Sequence, residues 1–458
     1  MSPKFEPPKK PAPSAPVKPA DQSAVVLPVK KGMQPIQLVR GMRDLLPVDY
    51  PYWKDAKAKA EQLAAAYGYD WIETPVVEDT SLFVRGVGKA TDIVEKELYS
   101  WETLGGEHLT LRPEATAPIV RSYISHGMLN LPQPVKLWYA GPMFRHDRPQ
   151  AGRFRQFYQM GFECLGETDA VIDAQLMIIG WNFLKELGIE ATVRVNSIGT
   201  PESRINYKNA LVSYFRSKRN RLSEDDKRRL NKNPLRLLDS KDPNMQELKA
   251  EAPQIIDWLD EDSKAHFMRV LEYLDEVGVP YQLDPYLVRG LDYYTKTVFE
   301  FYAASEDQEL AQSALGGGGR YDGLVELLGG RPTPAAGFAI GLDRVVSRLK
   351  EKNPQPIAAE RQTDVFIAQL GEMGRKKALA LFEEFRAAGI AAGEAFAKAS
   401  IKVQMEVANK RKAKWAVIIG QKEVLDGTAV IRDMDAGTQE IVDVKKVVHE
   451  VKKKMGMA

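Results

Sequence analysis

The sequence contains very little cysteine and histidine. Cys164 is the single cysteine among 458 residues, so no disulfide can form within the chain. The five histidines are scattered, and no spacing of cysteine and histidine matches a zinc site. We therefore expect a protein of a reducing compartment, with no metal ion held in a cage of protein ligands.

Long hydrophobic runs are also missing. No stretch approaches eighteen apolar residues, which predicts that no segment spans a membrane. The first residues lack the apolar region of a secretory signal peptide. A transit peptide is disfavoured because acidic residues are present and the first arginine is Arg40. Together with the single cysteine, these features predict a cytoplasmic protein without a membrane partner.

Neither sign of charge dominates the chain, whose net charge is +2. Residues 1–40 carry seven basic and two acidic side chains, and residues 363–458 carry seventeen and thirteen, so the middle of the chain is acidic. If the protein binds nucleic acid, its two ends supply general attraction. Contacts made by the middle must then come from local arginines rather than from a basic surface.

The length and the 44% hydrophobic content are those of a soluble protein with two to four domains. Residues 1–38 are rich in proline and lysine and are interpreted as a disordered tail. Helix and strand patterns predict an α/β (α+β) core over 39–350, with a helical insertion at about 200–280. A linker at 351–362 leads to a small α/β domain over 363–458 with a parallel component.

A predicted hairpin between Val135 and Cys164 carries the strongest functional signal. In its second strand, alternation separates an apolar face from a polar one, which consists of Arg153, Arg155, Phe157, Gln159, Gly161 and Glu163. Arg145, at the end of the first strand, lies beside the polar face. A solvated face favours Lys, Thr and Glu, so this mixture of arginines, a ring, an amide and a carboxylate indicates a planar, anionic ligand.

Three further stretches combine polar residues with abrupt changes of pattern. In LRPEAT, Glu114 lies where a strand gives way to a helix, either to stabilise the helix N-terminus or to face a ligand ammonium group. LVRGLDYY (287–294) clusters an arginine, an aspartate and two tyrosines, with Asp292 as a possible partner of Arg289. The glycines of GGGGRYDGL (316–324) suit a backbone that passes close to a ligand or another strand.

These motifs together resemble those of class II aminoacyl-tRNA synthetases, and more specifically the histidyl-tRNA synthetase family. The hairpin, the strand end at Pro75 and GLDR (341–344) look like the three class II motifs, and LVRGLDYY and GGGGRYDGL look like the two histidyl motifs. GMRDLLP (41–47) and LRPEAT also match. The resemblance implies an antiparallel catalytic sheet flanked by helices, and a C-terminal anticodon-binding domain.

The resemblance also implies a reaction and a set of nucleotide-binding residues. Histidine is activated by ATP to histidyl-adenylate and is then transferred to the 3′ end of tRNA(His). Arg145 and Arg289 would be the catalytic residues that hold the α-phosphate and the carboxylate. Arg153 would reach the outer phosphates, and Phe157 and Arg344 would sandwich the adenine. Mg²⁺ would accompany ATP, held mostly by phosphates and water.

For histidine, the resemblance implies an ammonium site and an imidazole site. The ammonium group would contact Glu114, Thr116 and Gln159, and the imidazole would contact Glu163 and Tyr294. Ala115 and Tyr293 complete the histidine site, although Ala115 stands where the family usually has glycine, which could alter the reach of the backbone.

The resemblance further implies contacts with tRNA and with a second subunit. Arg148 and Gln150, in the hairpin loop, would lie over the acceptor end, and the C-terminal domain would read the anticodon. The basic run at 410–414 is either a backbone contact or a solvated helix end. Pairing through the motif that ends at Pro75 predicts a homodimer.

Three alternatives stay open at this point. The first is a regulatory subunit of histidine biosynthesis with the same core, although such proteins typically lack the anticodon-binding domain and the motif arginines. The second is a class II synthetase for proline, threonine or glycine, against which the two histidyl motifs argue. The third is a tRNA-binding or scaffold module without activity.

Overall fold

The computed structural model describes residues 36–89, 91–147, 153–232, 234–238, 240, 242–303, 314–354 and 363–457. Arg148 and Gln150 lie outside these residues, as does most of the predicted tail. The chain divides into two units, Met1–Arg40 and Gly41–Ala458. The described residues of the first unit contain no helix or strand, and the second unit holds the elements given below. Within the described chain, no helix is long and apolar enough to cross a membrane.

The second unit contains strands that form three sheets. In chain order the strands are β1 Asp70–Trp71, β2 Val77–Asp79, β3 Tyr99–Glu102, β4 His108–Leu111, β5 Val135–Phe144, β6 Gln156–Leu165, β7 Ala191–Ser197, β8 Tyr281–Leu283, β9 Thr295–Ala303, β10 Gly316–Arg320, β11 Ala335–Gly341, β12 Val365–Gln369, β13 Ala392–Glu394, β14 Trp415–Ile419, β15 Thr428–Asp433 and β16 Gln439–Asp443. The predicted hairpin is confirmed as β5 and β6.

Helices occur in both the core and the C-terminal part. The α-helices are α1 Tyr50–Tyr67, α2 Thr80–Gly86, α3 Thr116–Ser125, α4 Ala170–Glu186, α5 Pro201–Ser217, α6 Glu224–Lys232, α7 Pro243–Ala250, α8 Glu261–Val277, α9 Leu324–Leu327, α10 Leu342–Lys352, α11 Gly371–Ala387, α12 Ile401–Lys410, α13 Gln421–Asp426 and α14 Val447–Lys454. A single π-helical stretch, Ile93–Glu97, follows α2. The first helix ends as its sequence predicts, because Gly68 takes the left-handed conformation (φ 71°) that glycine tolerates best.

The largest sheet has eight strands in the order β1-β5-β6-β11-β10-β9-β7-β8. Its six central strands pair antiparallel, whereas β1 and β8 add parallel edges. The predicted antiparallel arrangement is therefore confirmed for the central strands. The two parallel edge strands make the whole sheet a mixed one. A second sheet, β2-β4-β3, is antiparallel, and a five-stranded sheet, β13-β12-β14-β15-β16, forms the C-terminal domain. Its first three strands are parallel, as the sequence predicts.

The two faces of the large sheet pack against different sets of side chains. One face carries an aromatic layer that includes Phe162, Phe299 and Phe338, and helices α1, α4, α8 and α10 pack on it. Rings of Phe162 and Phe338 stack with centroids 5.3 Å apart. Helix α4 comes so close that a side chain at Gly180 would overlap the ring of Phe301. This face is filled by core packing, so a ligand site must lie on the other face.

The predicted helical insertion contributes to both faces. Its first helices bury Tyr207, Leu211 and Phe215 in a cluster with Tyr294 and Val298, on the side opposite the aromatic layer. Its last helix, α8, instead packs in the aromatic layer. The segment is helical as predicted, but it does not pack as a single body. The predicted limits of the domains stay predictions.

Candidate active site

The second face of the large sheet forms the floor of a cavity of about 1150 Å³. Strand register places one row of residues across this floor: Glu300, Gly317, Ala339, Gly161 and Tyr139. The three central members are small, which keeps the floor low between larger side chains at the two ends. A Cβ atom at Gly161 would lie 2.5 Å from the hydroxyl of Tyr139. The glycines thus serve close packing of strands and leave room for a ligand, as their sequence predicts.

The insertion supplies part of the cavity wall. Leu238, Gln246 and Lys249 line the cavity together with Tyr286, which follows β8. The cavity is therefore enclosed by the sheet below and by insertion residues at one side. This arrangement limits access of water to ligands bound on the floor, and electrostatic interactions strengthen where water is excluded.

Six cationic residues line this cavity, and four of them, Arg145, Arg153, Arg289 and Arg344, are those singled out from the sequence, which we call the arginine group. They come from four separate stretches of sequence: the residue after β5, the segment before β6, the segment before β9, and the first turn of α10. The structure places all four of these sequence-predicted residues along one cavity. Their convergence is what an anion with several phosphates requires.

Arg145 and Arg344 are half-buried and are held through backbone oxygens. Nε of Arg145 donates to the carbonyl of Pro113 at 2.9 Å, and its guanidinium carbon lies 5.4 Å from the ring centroid of Phe157. Arg344 donates to the carbonyl of Ala314. Burial lowers the pKa of Arg145, and it lowers the pKa of Arg344 to about 10. Because a carbonyl does not neutralise a guanidinium, both retain attraction for an anionic ligand.

Arg153 and Arg289 instead pair with carboxylates. Exposed Arg153 lies 3.3 Å from Asp147, an ion pair of low energetic value in water. Nη1 of Arg289 donates to Oε1 of Glu300, with both side chains more than four-fifths buried. Burial acts against the charge of Arg289, but the carboxylate of Glu300 outweighs it and raises the pKa of Arg289.

The suggestion that Asp292 is the partner of Arg289 is wrong. The amide of Asp292 donates to the carbonyl of Val87, and its side chain packs against Gly88, where a Cβ atom would lie 2.6 Å from Oδ2. Asp292 is thereby held at the glycine segment after α2. Glu300, eight residues further along the chain, faces the cavity from β9 and reaches Arg289.

A second set of residues, which we call the carboxylate group, comprises Glu114, Thr116, Glu163, Tyr293 and Tyr294. Glu114 accepts hydrogen bonds from the amides of Thr116 (2.8 Å) and Ala117 (2.9 Å) at the N-terminus of α3. Glu114 thus stabilises the N-terminus of α3, and the same carboxylate also lines the cavity. Burial raises the pKa of Glu114, against the hydrogen bonds from these two amides.

Glu163 lies behind the cavity wall rather than on it. Its Oε1 accepts from the hydroxyl of Thr116 at 2.7 Å, and its Oε2 accepts from the hydroxyl of Tyr321. A side chain at Gly337, its register partner on β11, would overlap this carboxylate. Burial raises the pKa of Glu163 to about 8. A carboxyl group poised near neutral pH in this way is characteristic of functional sites.

Gln159 and Ala115 have contrasting positions. Gln159 lines the cavity, and its buried Oε1 accepts no hydrogen bond from the described residues, so a ligand donor would satisfy it. Ala115 is buried in the apolar cluster beneath α3 and does not line this cavity. Its φ of −110° is open to any residue, so glycine is not needed there.

Sequence reasoning missed three residues of this site. Tyr321 donates to Glu163, Glu300 pairs with Arg289, and Tyr302 donates to Glu300 at 2.7 Å. Alternation in β9 does place Glu300 and Tyr302 on one face, so this signal was present. Tyr321 gave no comparable signal, because its role depends on the distant residue Glu163.

Comparison with known proteins gives consistent matches over both parts of the chain. A family model described as histidyl-tRNA synthetase matches residues 41–345, and an anticodon binding domain model matches residues 364–454. The histidine–tRNA ligase of Dehalococcoides mccartyi is 46% identical over 422 residues, which cover 92% of this chain and 100% of that protein. The corresponding ligase of Pelotomaculum thermopropionicum is 44% identical over 417 residues, covering 91% and 97%.

A solved structure agrees with these sequence matches. The apo histidyl-tRNA synthetase of S. aureus superimposes with a TM-score of 0.74 at 35% identity, covering 91% of this chain and 100% of that one. The mixed sheet, the flanking helices and the C-terminal domain are those of a class II aminoacyl-tRNA synthetase. Within that class, the chain belongs to the histidyl-tRNA synthetase family. Its function is the charging of tRNA with histidine, which the comparisons support over the three alternatives.

Proposed function

We propose that the arginine group and the carboxylate group carry out adenylate formation as follows. The histidine carboxylate attacks the α-phosphorus of ATP, a new P–O bond forms, and the bond to the bridging oxygen breaks as pyrophosphate leaves. Negative charge grows on the α-phosphate oxygens during this step. Fixed cations that meet those oxygens lower the barrier, because they need no reorganisation when the charge appears.

Each member of the arginine group has a separate task in this proposal. Arg145 and Arg289 contact the α-phosphate and the histidine carboxylate, and Arg153 contacts the outer phosphates. Arg344 and Phe157 enclose the adenine. The observation that carries the proposal is the convergence of these arginines and the buried carboxylate of Glu114 around one cavity with a glycine-rich floor, with the buried carboxyl group of Glu163 behind its wall.

The carboxylate group would bind the amino acid. Glu114, Thr116 and Gln159 receive the α-ammonium group, which the unsatisfied oxygen of Gln159 supports. Glu163 and Tyr294 receive the imidazole, and Tyr293, whose hydroxyl lies 3.5 Å from Glu114, bounds the site. Each oxygen of Glu163 already accepts one hydrogen bond. A carboxylate oxygen has two acceptor positions, so an imidazole N–H can still be accommodated.

Mg²⁺ would enter with ATP and be ligated mainly by phosphate oxygens and water. Carboxylate oxygens of Glu97 and Asp147 line the same cavity and are of the type that Mg²⁺ accepts. When bound, the ion would offset phosphate charge. Histidine would then pass from the adenylate to the terminal ribose of tRNA(His), with Arg148 and Gln150 near the acceptor end and the C-terminal domain reading the anticodon.

An ATP–pyrophosphate exchange assay across all twenty amino acids tests this proposal. Exchange should depend on histidine, and the protein should then charge tRNA(His). Exchange with another amino acid, or none with any, would contradict it.

The assembly and the cellular location are also proposed. Pairing through the strand end at Pro75 gives a homodimer with one active site in each subunit, in the cytoplasm. Light scattering at micromolar concentration should give the mass of two chains. A fully active monomer would rule out the dimer.

A further inference from the structure

Glu300 is an unexpected residue for a cavity that receives anions. Its side chain is only 16% exposed to solvent, and it lines the same cavity as the arginine group. A carboxylate there repels the phosphates of ATP and the carboxylate of histidine, and this repulsion strengthens where water is excluded. The residue therefore needs a compensating role.

The contacts of Glu300 are divided between its two oxygens. Oε1 accepts from Nη1 of Arg289, and Oε2 accepts from the hydroxyl of Tyr302 at 2.7 Å. Glu300 and Tyr302 lie two residues apart on β9, so both project from the same face of the sheet. The hydroxyl of Tyr302 thus fixes the carboxylate that in turn holds Arg289.

Neighbouring strands hold this arrangement from both sides. On β7, Arg194 is the register partner of Glu300, and its guanidinium carbon lies 4.1 Å from the ring centroid of Tyr302. On β10, Gly317 is the other register partner, and a Cβ atom there would lie 2.8 Å from Nη1 of Arg289. Glycine therefore provides the space in which Arg289 meets Glu300.

We infer that Glu300, fixed by Tyr302, is a positioning residue that aims the guanidinium of Arg289 at the α-phosphate. One N–H of Arg289 is engaged by Glu300, and the hydroxyl of Tyr294 also contacts the guanidinium, which leaves the remaining donors for the substrate. The carboxylate also weakens the attraction of Arg289 for anions in the ground state. The contribution of Arg289 is thereby concentrated in the transition state, where the phosphate carries more charge. This inference rests on the proposed role of Arg289 in adenylate formation.

A double-mutant cycle with Glu300→Ala and Arg289→Ala tests the inference by single-turnover adenylate formation. Glu300→Ala should slow adenylation roughly 10-fold or more, within the range of coupling between contacting residues. The KM for ATP should stay the same or fall, because an unpaired Arg289 attracts ground-state phosphate more strongly. When Arg289 is already alanine, Glu300→Ala should change the rate by less than about 3-fold.

Conservative variants separate positioning from a merely structural role. Glu300→Gln keeps an oxygen that accepts from Arg289, so it should recover part of the rate lost in Glu300→Ala. Tyr302→Phe should slow adenylation less than Glu300→Ala, with the same unchanged or lower KM. Glu186→Ala is the matched control, since it removes a carboxylate paired with Lys59 (3.0 Å) that does not line the cavity. It should leave the rate unchanged.

The outcomes distinguish the inference from the function on which it rests. If Arg289→Ala does not slow adenylation, the proposed role of Arg289 fails. If Arg289→Ala slows adenylation but Glu300→Ala and Arg289→Ala act additively, the inference alone fails. It also fails if Glu300→Ala raises the KM for ATP with no change in the rate of adenylate formation. Thermal unfolding of each variant identifies loss of folding, and if Glu300→Ala does not fold, Glu300→Gln and Tyr302→Phe complete the same cycle.

Discussion

The arginine group and the carboxylate group line the same sheet but differ in how the protein compensates their charges. The carboxylate of Glu114 accepts hydrogen bonds from two amides of α3 and from the hydroxyl of Tyr293 at 3.5 Å, and that of Glu163 accepts from the hydroxyls of Thr116 and Tyr321. Arg145 and Arg344 each donate a hydrogen bond to one backbone carbonyl. The acids are thus held by short, complete networks, whereas these two arginines keep donors available for a ligand.

Burial shifts the two groups toward neutrality from opposite directions. It raises the pKa of Glu114 and Glu163 and lowers the pKa of Arg145 and Arg344. Arg289 differs from the other two arginines, because Glu300 raises its pKa in spite of burial. In the proposed mechanism, recognition of the amino acid and stabilisation of the phosphate therefore rest on different chemistry. Arg289 is the most firmly charged of these three arginines.

The largest effect should follow the loss of Arg289. Arg289→Ala should slow adenylate formation by at least about 10²-fold, comparable to the loss of one preorganised donor to a developing oxyanion. Transfer from preformed adenylate to tRNA should slow less, because the α-phosphate is then part of the leaving group. Single-turnover kinetics of the two steps measure both rates.

Arg289→Lys sharpens this prediction. It keeps the charge but should restore little of the rate, since a point charge cannot replace a planar fork held on one side by Glu300. Equal slowing of both steps, or recovery with lysine, would show that Arg289 shapes the site without acting on the phosphate.

A smaller effect is expected in the carboxylate group. Glu163→Gln keeps the volume but removes a carboxyl group that is a charged acceptor only when ionised, so histidine binding measured above pH 8, where Glu163 is ionised, should weaken by about 1.5 to 3 kcal/mol. ATP binding should barely change, because the arginine group is intact. Equilibrium titrations with each ligand measure the two affinities. Retained histidine binding with loss of ATP binding would assign Glu163 to the nucleotide instead.

Glu163 should also make stability depend on pH. Its pKa is raised by burial from an ordinary value of 4.5 to about 8, so the folded state prefers the protonated form. The contribution of protonated Glu163 to the free energy of unfolding is complete below pH 4.5 and is lost as the pH rises toward 8. Between pH 6 and 8, the free energy of unfolding of the wild type should fall by on the order of 1 to 2 kcal/mol relative to that of Glu163→Gln. Denaturant unfolding of both proteins measures the difference, and parallel pH profiles would contradict this prediction.

The sequence predicted local features of this site better than long-range contacts. Alternation in β6 correctly separated Phe162 from Phe157 and Gln159, because strand periodicity depends only on neighbouring residues. The partner of Arg289 was predicted wrongly, since the nearby Asp292 was chosen over Glu300. Arg289 lies in the irregular segment between β8 and β9, and its contact with Glu300 depends on how that segment is placed against β9, which strand periodicity does not display.

The same limit applies to Tyr321 and to α8. Tyr321 meets Glu163 only because β11 lies between β6 and β10 in the sheet. Helix α8 was predicted as helical from its spacing, but its placement on the aromatic layer depends on packing with α4. Resemblance of motifs identified some of the residues that line the cavity, such as Arg145, Gln159 and Arg289, whereas the residues that support them required the fold.

The smallest effect should follow removal of residues 1–36, which contribute to neither group. The segment is rich in proline and lysine, and the sequence predicts that it cannot bury a core. Histidine activation by the truncated protein should equal that of the full chain within about 2-fold. Binding of tRNA should weaken only at low salt, because loss of basic side chains removes counterion-release attraction. Exchange assays and tRNA binding at two salt concentrations test this, with Glu186→Ala in the full chain as a control for unrelated charge loss. A large loss of adenylation on truncation would show that the segment supports the catalytic site.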